Sequence, residues 1–264
     1  MNHDGAIDRP SGMTACATLA RREVLRFLRQ PARLVAAIAT PALLWVFLTA
    51  GLTGAMGLKL TGDGAVDFGA FLLPGTLTLV AMFASIFSAI SVIEDRDQGW
   101  LQAVLVSPAP RWSIALGKTA GGTVLAFAQA AVLLPLFLAR GELPGAESAG
   151  LTMLALFLTC LGVTGMGVVL AWRCDSSQSF HAVMNLVFMP MWLLSGAFFP
   201  IDEAAGWLSA VAWINPLTWC TEAIRRPLLG QEVGWMLWLT AAYAASMLLA
   251  ATAMVARPGK RSAT

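Results

Sequence analysis

From Ala32 to Ala256 the chain keeps returning to one device, a run of about 20 apolar residues closed by a short polar stretch. Each run is long enough, as a helix, to cross a hydrocarbon core of roughly 30 Å. Lipid offers no partner for a backbone N–H or C=O, so such runs must satisfy their hydrogen bonds internally, as helices do. Six spans are expected, at about 32–54, 69–93, 116–139, 149–172, 179–199 and 235–256. With 58% apolar and only 12% charged residues, the 264-residue chain has too little charge to cover a soluble domain. The fold class read from this is an all-α polytopic membrane protein. A net charge of +2 says nothing about nucleic acid, and no nucleic-acid partner is expected. Where the positive charges lie is more informative than their sum.

Residues 1–13 are polar, contain Gly and Pro, and read as a disordered tail. No cleavable signal peptide is expected, because the first apolar run begins only near Ala32, after a dense arginine cluster. Residues 14–30 read as an amphipathic helix in the headgroup region. Arg22, Arg26, Arg29 and Arg33 fall on one face, and Cys16, Ala20, Val24 and Phe27 on the other. A plain basic flank that fixes orientation would use the same residues. Pro31 should separate this helix from the first span. With both termini (the second being residues 257–264) on the cytoplasmic side, thirteen of the seventeen Lys and Arg lie inside, and only Lys59, Arg140, Arg225 and Arg226 lie outside. This asymmetry sets the expected orientation, with the chain in the cell membrane.

Two polar segments interrupt the apolar pattern in ways that matter. Residues 94–117, between the second and third spans, form a charged island at the inner surface. The outer stretch 200–234 carries Trp207, Val211, Trp213, Ile214, Leu217 and Trp219, too apolar for a free loop and too broken for a span. Asn215-Pro216 should divide it into two short helices, giving a re-entrant or interfacial hairpin.

No residues suited to bond chemistry converge. Cys16, Cys160, Cys174 and Cys220 are scattered without a Cys-x-x-Cys pair, so neither a disulfide framework nor a metal site is expected. Gly117-Lys118-Thr119 imitates the end of a phosphate-binding loop, but the required glycine five positions earlier is Trp112. Lys118 reads instead as a snorkelling residue at the interface. His181 and Asn185 share a helix face, and Gln129 lies midway along the third span; each reads as a polar group buried between helices or lining a substrate path. No span centre carries Asp, Glu, Lys or Arg, which argues against an ion-coupled carrier.

The order of motifs resembles the type-2 ABC transporter permeases, the membrane subunits of drug, polysaccharide and nodulation-factor exporters. The resemblance rests on Phe71-Leu-Leu-Pro-Gly75, on Glu94-Asp-Arg-Asp-Gln-Gly99 with Leu105, Ser107-Pro108 and Leu116-Gly117-Lys118, on Ser195-Gly-Ala-Phe-Phe-Pro200, and on Trp213-Ile-Asn215-Pro216-Leu-Thr218 with Arg225. It covers roughly residues 14–256; Gln98 and Trp100 around the glycine depart from the common pattern.

The resemblance implies that 94–117 is a coupling segment docked on a separate ATPase subunit, which would hold the ATP and Mg; the chain itself would need no cofactor. Gly99 would permit a tight bend and Pro108 would end the helix. Trp100, Leu101, Val104 and Leu105 would form an apolar ridge for the partner's groove, rimmed by Glu94, Asp95, Arg96 and Asp97. An ordinary surface loop is the alternative for this segment. The 14–30 helix would be the family's membrane-surface connecting helix, and the hairpin bearing Pro200, Trp213, Asn215, Pro216 and Arg225 would close the exit. A homodimer, or a heterodimer with a sister permease, would export an amphipathic or lipid-like substrate without the chain being an enzyme. A nucleotide-independent carrier or channel and a lipid-modifying membrane enzyme are the competing classes.

Overall fold

The computed structural model describes residues 11–56, 59–60, 66–135 and 145–257. The expected tails therefore lie outside the described residues, except for Ser11–Met13 and Arg257. The elements are α1 (Gly12–Leu28), α2 (Pro31–Met56), α3 (Phe68–Asp97), α4 (Trp100–Leu105), α5 (Arg111–Ala131), α6 (Ala146–Arg173), α7 (Ser177–Leu193), α8 (Gly206–Ile214), α9 (Pro216–Leu228) and α10 (Met236–Ala256). A two-residue antiparallel pair, Lys59–Leu60 with Val66–Asp67, precedes α3. A 3-10 turn, Ile201–Glu203, follows Pro200.

Side-chain chemistry sets the helix ends. Ser11 caps α1 by accepting from the Thr14 amide at 3.2 Å, and Ser176 caps α7 by accepting from the Ser179 amide at 3.1 Å. Pro31 opens α2 at its first turn, where a missing N–H costs nothing. The break between α8 and α9 falls at Asn215–Pro216, where the Asn215 side chain accepts from the Leu217 amide at 3.1 Å.

Helix α3 is the axis of the bundle. Of its most apolar window 89% is buried, against 17% for α2, which presents Val35, Leu43, Val46 and Phe47 to the surroundings. Helices α2, α5, α6, α7 and α9 all pack on α3, and α6 packs in turn on α10.

Four helices among the described residues are long and apolar enough to cross a membrane: Pro31–Gly51, Phe68–Asp97, Ala146–Arg173 and Met236–Ala256. The expected third and fifth spans are not among them. Helix α5 begins earlier than expected and carries Lys118, Thr119, Thr123, Gln129 and three glycines, which lower its hydropathy. Helix α7 has 17 residues, about 25 Å of rise, because the chain turns out of helix after Leu193 instead of running to 199. The tail of the expected third span, 136–139, lies outside the described residues.

Helix α1 does not stand apart at the surface. Its Cys16, Leu19, Ala20 and Glu23 lie directly on Gly117 and Gly121 of α5. A Cβ added at Gly121 would sit 2.8 Å from the Glu23 Cβ and 2.9 Å from the Ala20 carbonyl oxygen, closer than atoms tolerate. The two backbones therefore meet only because α5 has no side chain there. Gly121→Val should lift α1 from α5 and destabilise the protein by about 1–3 kcal/mol. The check is a lowered unfolding midpoint in mild detergent, with earlier proteolytic release of the N-terminal segment.

Candidate functional site

Where α1, α2, α3 and α5 converge, seven charged side chains form one connected network. At its centre is Lys118, whose side chain is 4% exposed. The ammonium has three donors and all three are used: on Glu23 Oε2 at 2.7 Å, on the Ser91 hydroxyl at 3.0 Å, and on Asp95. Ser91 donates onward to Glu23. Asp95 is fully buried, and Arg22 grips both its oxygens at 3.0 Å in the two-pronged geometry that suits a guanidinium and a carboxylate. Arg26 reaches Asp95 Oδ1 at 2.7 Å and Glu94 Oε2 at 2.7 Å, and Arg33 of α2 reaches Glu94 Oε1 at 2.5 Å.

Four cations thus meet three carboxylates, leaving one positive charge in surplus. Burying charge costs several kcal/mol per ion, about offset only when geometry is good and every donor and acceptor is used. Here the buried groups at the centre, Lys118, Glu23 and Asp95, are all partnered, and the result locks four helices to one another.

The network also seats α4. Gly99, at φ 74°, makes the left-handed turn from α3 into α4, a conformation in which a side chain would be strained. The Arg22 guanidinium then lies 3.5 Å from the centroid of the Trp100 ring. Leu101 is buried with Ile114, Ala115 and Val255, and Val104 and Leu105 pack against the same group. Of the ridge expected to face a partner, Leu101 is buried in the chain's own core, while Trp100, Val104 and Leu105 are half-buried and keep part of their surface open. Outward lie Asp97, Gln98, Gln102, Ala103, Pro108 and Val106, the last 86% exposed. The Ser107 hydroxyl donates to Val104 O at 2.7 Å and helps close the turn after α4. Arg96 donates to the Cys174 carbonyl and ties the end of α3 to the end of α6.

A second constellation lies toward the other end of α3, about 36 Å away, counting 1.5 Å per residue from Phe71 to Asp95. Arg225 of α9 is buried, donates to the Gly196 carbonyl at 2.6 Å, pairs with Glu222, and stands 4.1 Å from the Phe71 ring centroid. Trp192 donates to the Gly75 carbonyl at 2.8 Å, and a Cβ on Gly75 would come within 2.5 Å of the Ala197 Cβ. Asn215 donates to Met191 O at 2.5 Å, and the Trp219 indole donates to Trp213 O at 2.9 Å. The segments 71–75, 195–200 and 213–225, far apart in sequence, are thus one contact cluster. Pro200 ends the loop from α7 and starts the 3-10 turn beside it.

The profile of the ABC-2 type transporter family matches residues 14–229, which include both constellations. The chain belongs to that family. It is similar to the probable multidrug ABC transporter permease YbhR of Escherichia coli K12, 28% identical over 162 residues, 61% of this chain and 44% of that protein. It therefore spans less than half the length of that relative. It is also similar to the putative transport permease ycf38 of Cyanophora paradoxa, 29% identical over 209 residues (78% of this chain, 71% of the relative). With nodulation protein J of Neorhizobium galegae it shares 29% identity over 229 residues, 85% of each chain. Membership in that family and four helices long and apolar enough to cross a membrane mark the chain as a multi-pass membrane protein of the ABC-2 type transporter family.

Within this ABC-2 permease the sequence-derived residues fall into three groups. Glu94, Asp95, Arg22, Arg26 and Arg33 come together in the network, whereas Arg29 is exposed and makes no ion pair among the described residues. Lys118 is corrected from a snorkelling side chain to the buried hub. Gln129 is buried with both amide atoms unpartnered, while His181 and Asn185 are exposed on α7, so the three do not share one surface of the monomer. Sequence reasoning missed Glu23, Ser91 and Lys118. The available signal was an acid on the inward face of α1, between Ala20 and Phe27, and a base on a glycine-rich helix face.

Lys118→Met leaves Glu23 and Asp95 buried beside each other with fewer cations and should cost about 3–5 kcal/mol. Lys118→Arg keeps the charge but not the room for it, so a smaller loss is expected. Unfolding midpoints of the purified variants, compared with the exposed substitution Gln102→Ala, check this.

Proposed function

We propose that this chain is the membrane subunit of an ATP-driven exporter that moves an amphipathic or lipid-like substrate, powered by a separate ATPase subunit carrying the ATP and Mg. The observation that carries the reading is α4: a short helix set outside the spans and fastened by Trp100, Leu101 and the charge network to α1, α3 and α5. A push or pull on such an element is passed to the bundle instead of being absorbed by a loose loop. With Leu101 turned inward and Trp100, Val104 and Leu105 half-buried, the most exposed surface offered to the ATPase is Asp97, Gln98, Gln102, Ala103, Val106 and Pro108.

In this reading both termini and α4 are cytoplasmic in the cell membrane, as the Lys and Arg distribution favours. Helices α5 and α7 complete six spans, α5 because its polar residues are covered by α1, α3 and α6. The α8–α9 hairpin closes the outer side, with Arg225 holding it to Gly196 and Phe71. Two copies, or one copy and a sister permease, enclose the path; the exposed faces of α2 and α7, the latter with His181, Asn185 and Leu186, are the surfaces available for it. A relative whose name carries multidrug transport supports an amphipathic cargo. In this reading the chain performs no bond chemistry and supplies a path and a lever.

Purification from host membranes, with mass spectrometry of the co-purifying chains, tests the reading. A nucleotide-binding ATPase should accompany the native protein and be lost, at least tenfold, from a Val106→Asp, Ala103→Asp variant whose unfolding midpoint is unchanged. Retention of the ATPase by that variant would move the contact elsewhere. Substrate flux without any ATPase or nucleotide would replace the proposal with a self-sufficient carrier.

A further inference from the structure

The outward face of α1 has a character its inward face does not explain. Arg22, Leu25, Arg26, Arg29 and Gln30 enclose an open groove of about 520 Å³. Two of its three guanidiniums, Arg22 and Arg26, are already committed to Asp95 and Glu94 and so are held in place, while Arg29 is not. The network behind them carries one cation more than it has carboxylates, and Arg29 and Arg21 add two exposed charges with no ion pair among the described residues. The ligand that complements this groove is an anion with several acceptor oxygens, for which preorganised arginines are the matching donors.

The surroundings narrow the source of that anion. Leu25 and Leu28 are 44% and 54% exposed beside the arginines, a poor setting for a freely dissolved ion. Three positions past Leu28, α2 begins, a membrane span that presents Val35, Leu43, Val46 and Phe47 outward. Basic groups next to apolar ones at the mouth of a span match a headgroup and its acyl chain. We propose that this groove binds the phosphate of an anionic membrane phospholipid, with an acyl chain lying against α2. The site lies on α1, where Arg22 also stacks on Trp100 of α4, and it does not depend on which ATPase the permease uses.

The test uses the purified full-length chain in mild detergent, titrated with fluorescent phosphatidylglycerol and, separately, with phosphatidylcholine of the same chain length. Phosphatidylglycerol should bind saturably and phosphatidylcholine at least tenfold more weakly. Arg29→Gln, which touches no member of the network, should weaken phosphatidylglycerol by about fivefold, the worth of one arginine near an anionic surface. Its unfolding midpoint without added lipid should match the native protein's. Equal binding of the two lipids would overturn the proposal in favour of a merely apolar surface. Displacement of the probe by millimolar inorganic phosphate would overturn the lipid source and leave a soluble-anion site. An Arg29→Gln variant that binds phosphatidylglycerol as the native protein does would remove the groove as the site. Saturable lipid binding by a native protein with which no ATPase co-purifies would count against the proposed function alone.

Discussion

A single buried ammonium governs how this permease is assembled. Lys118 lies in a helix that packs on both α1 and α3, and its charge is tolerable there only because Glu23 comes from the first and Ser91 and Asp95 from the second. Glu23 has no other cation among the described residues, while Asp95 is held by Arg22 and Arg26 as well. The arrangement is mutual: each charge makes the position of the others affordable, and none has a low-energy alternative once water is excluded. Arg22, Arg26 and Arg33 extend the same logic outward to Glu94, so the N-terminal helix, the first span and the end of α3 share one electrostatic anchor.

The anchor explains why α1 is a structural part of the bundle instead of an interfacial float. An amphipathic helix held only by headgroups would slide and tilt. This one carries a carboxylate on its inward face and meets α5 across Gly117 and Gly121, where backbones come close enough for the charge network to reach. Close packing and ion pairing depend on each other here: the glycines bring Glu23 within range of Lys118, and the ion pair holds α1 against a surface with few side chains to grip.

The far end of α3 works on a different principle. Arg225 is held by one carboxylate, one carbonyl and an aromatic face, a small set of directional contacts that tie α9 to the loop after α7. Between the two ends the bundle is filled with apolar side chains and scattered hydroxyls that mostly bond to their own helix one turn back, as Thr78, Ser85 and Thr123 do. Such a middle is less specific in its pairing than either end. The structure is therefore pinned at two levels, with a permissive region between them, an architecture suited to helices that shift against one another.

Local chemistry was legible in the chain by itself. Long apolar runs must be helices, because lipid leaves the backbone no other way to bond. Asn215-Pro216 had to break a helix, which follows from properties of two residues; the tight bend at Gly99 was expected only through the family resemblance, and its left-handed φ of 74° came from the structure. Which face meets which neighbour was decided only by the tertiary structure. Glu23 and Lys118 are 95 positions apart, and a helical wheel shows each on a face without showing that the faces meet. The ridge of α4 has the same pattern whether it faces a partner or its own core, and only the tertiary structure shows that Leu101 is buried beside Ile114, Ala115 and Val255. Periodicity records that a surface is to be buried; it carries no information about what buries it, since that depends on contacts between segments whose order in sequence does not fix their distance in space.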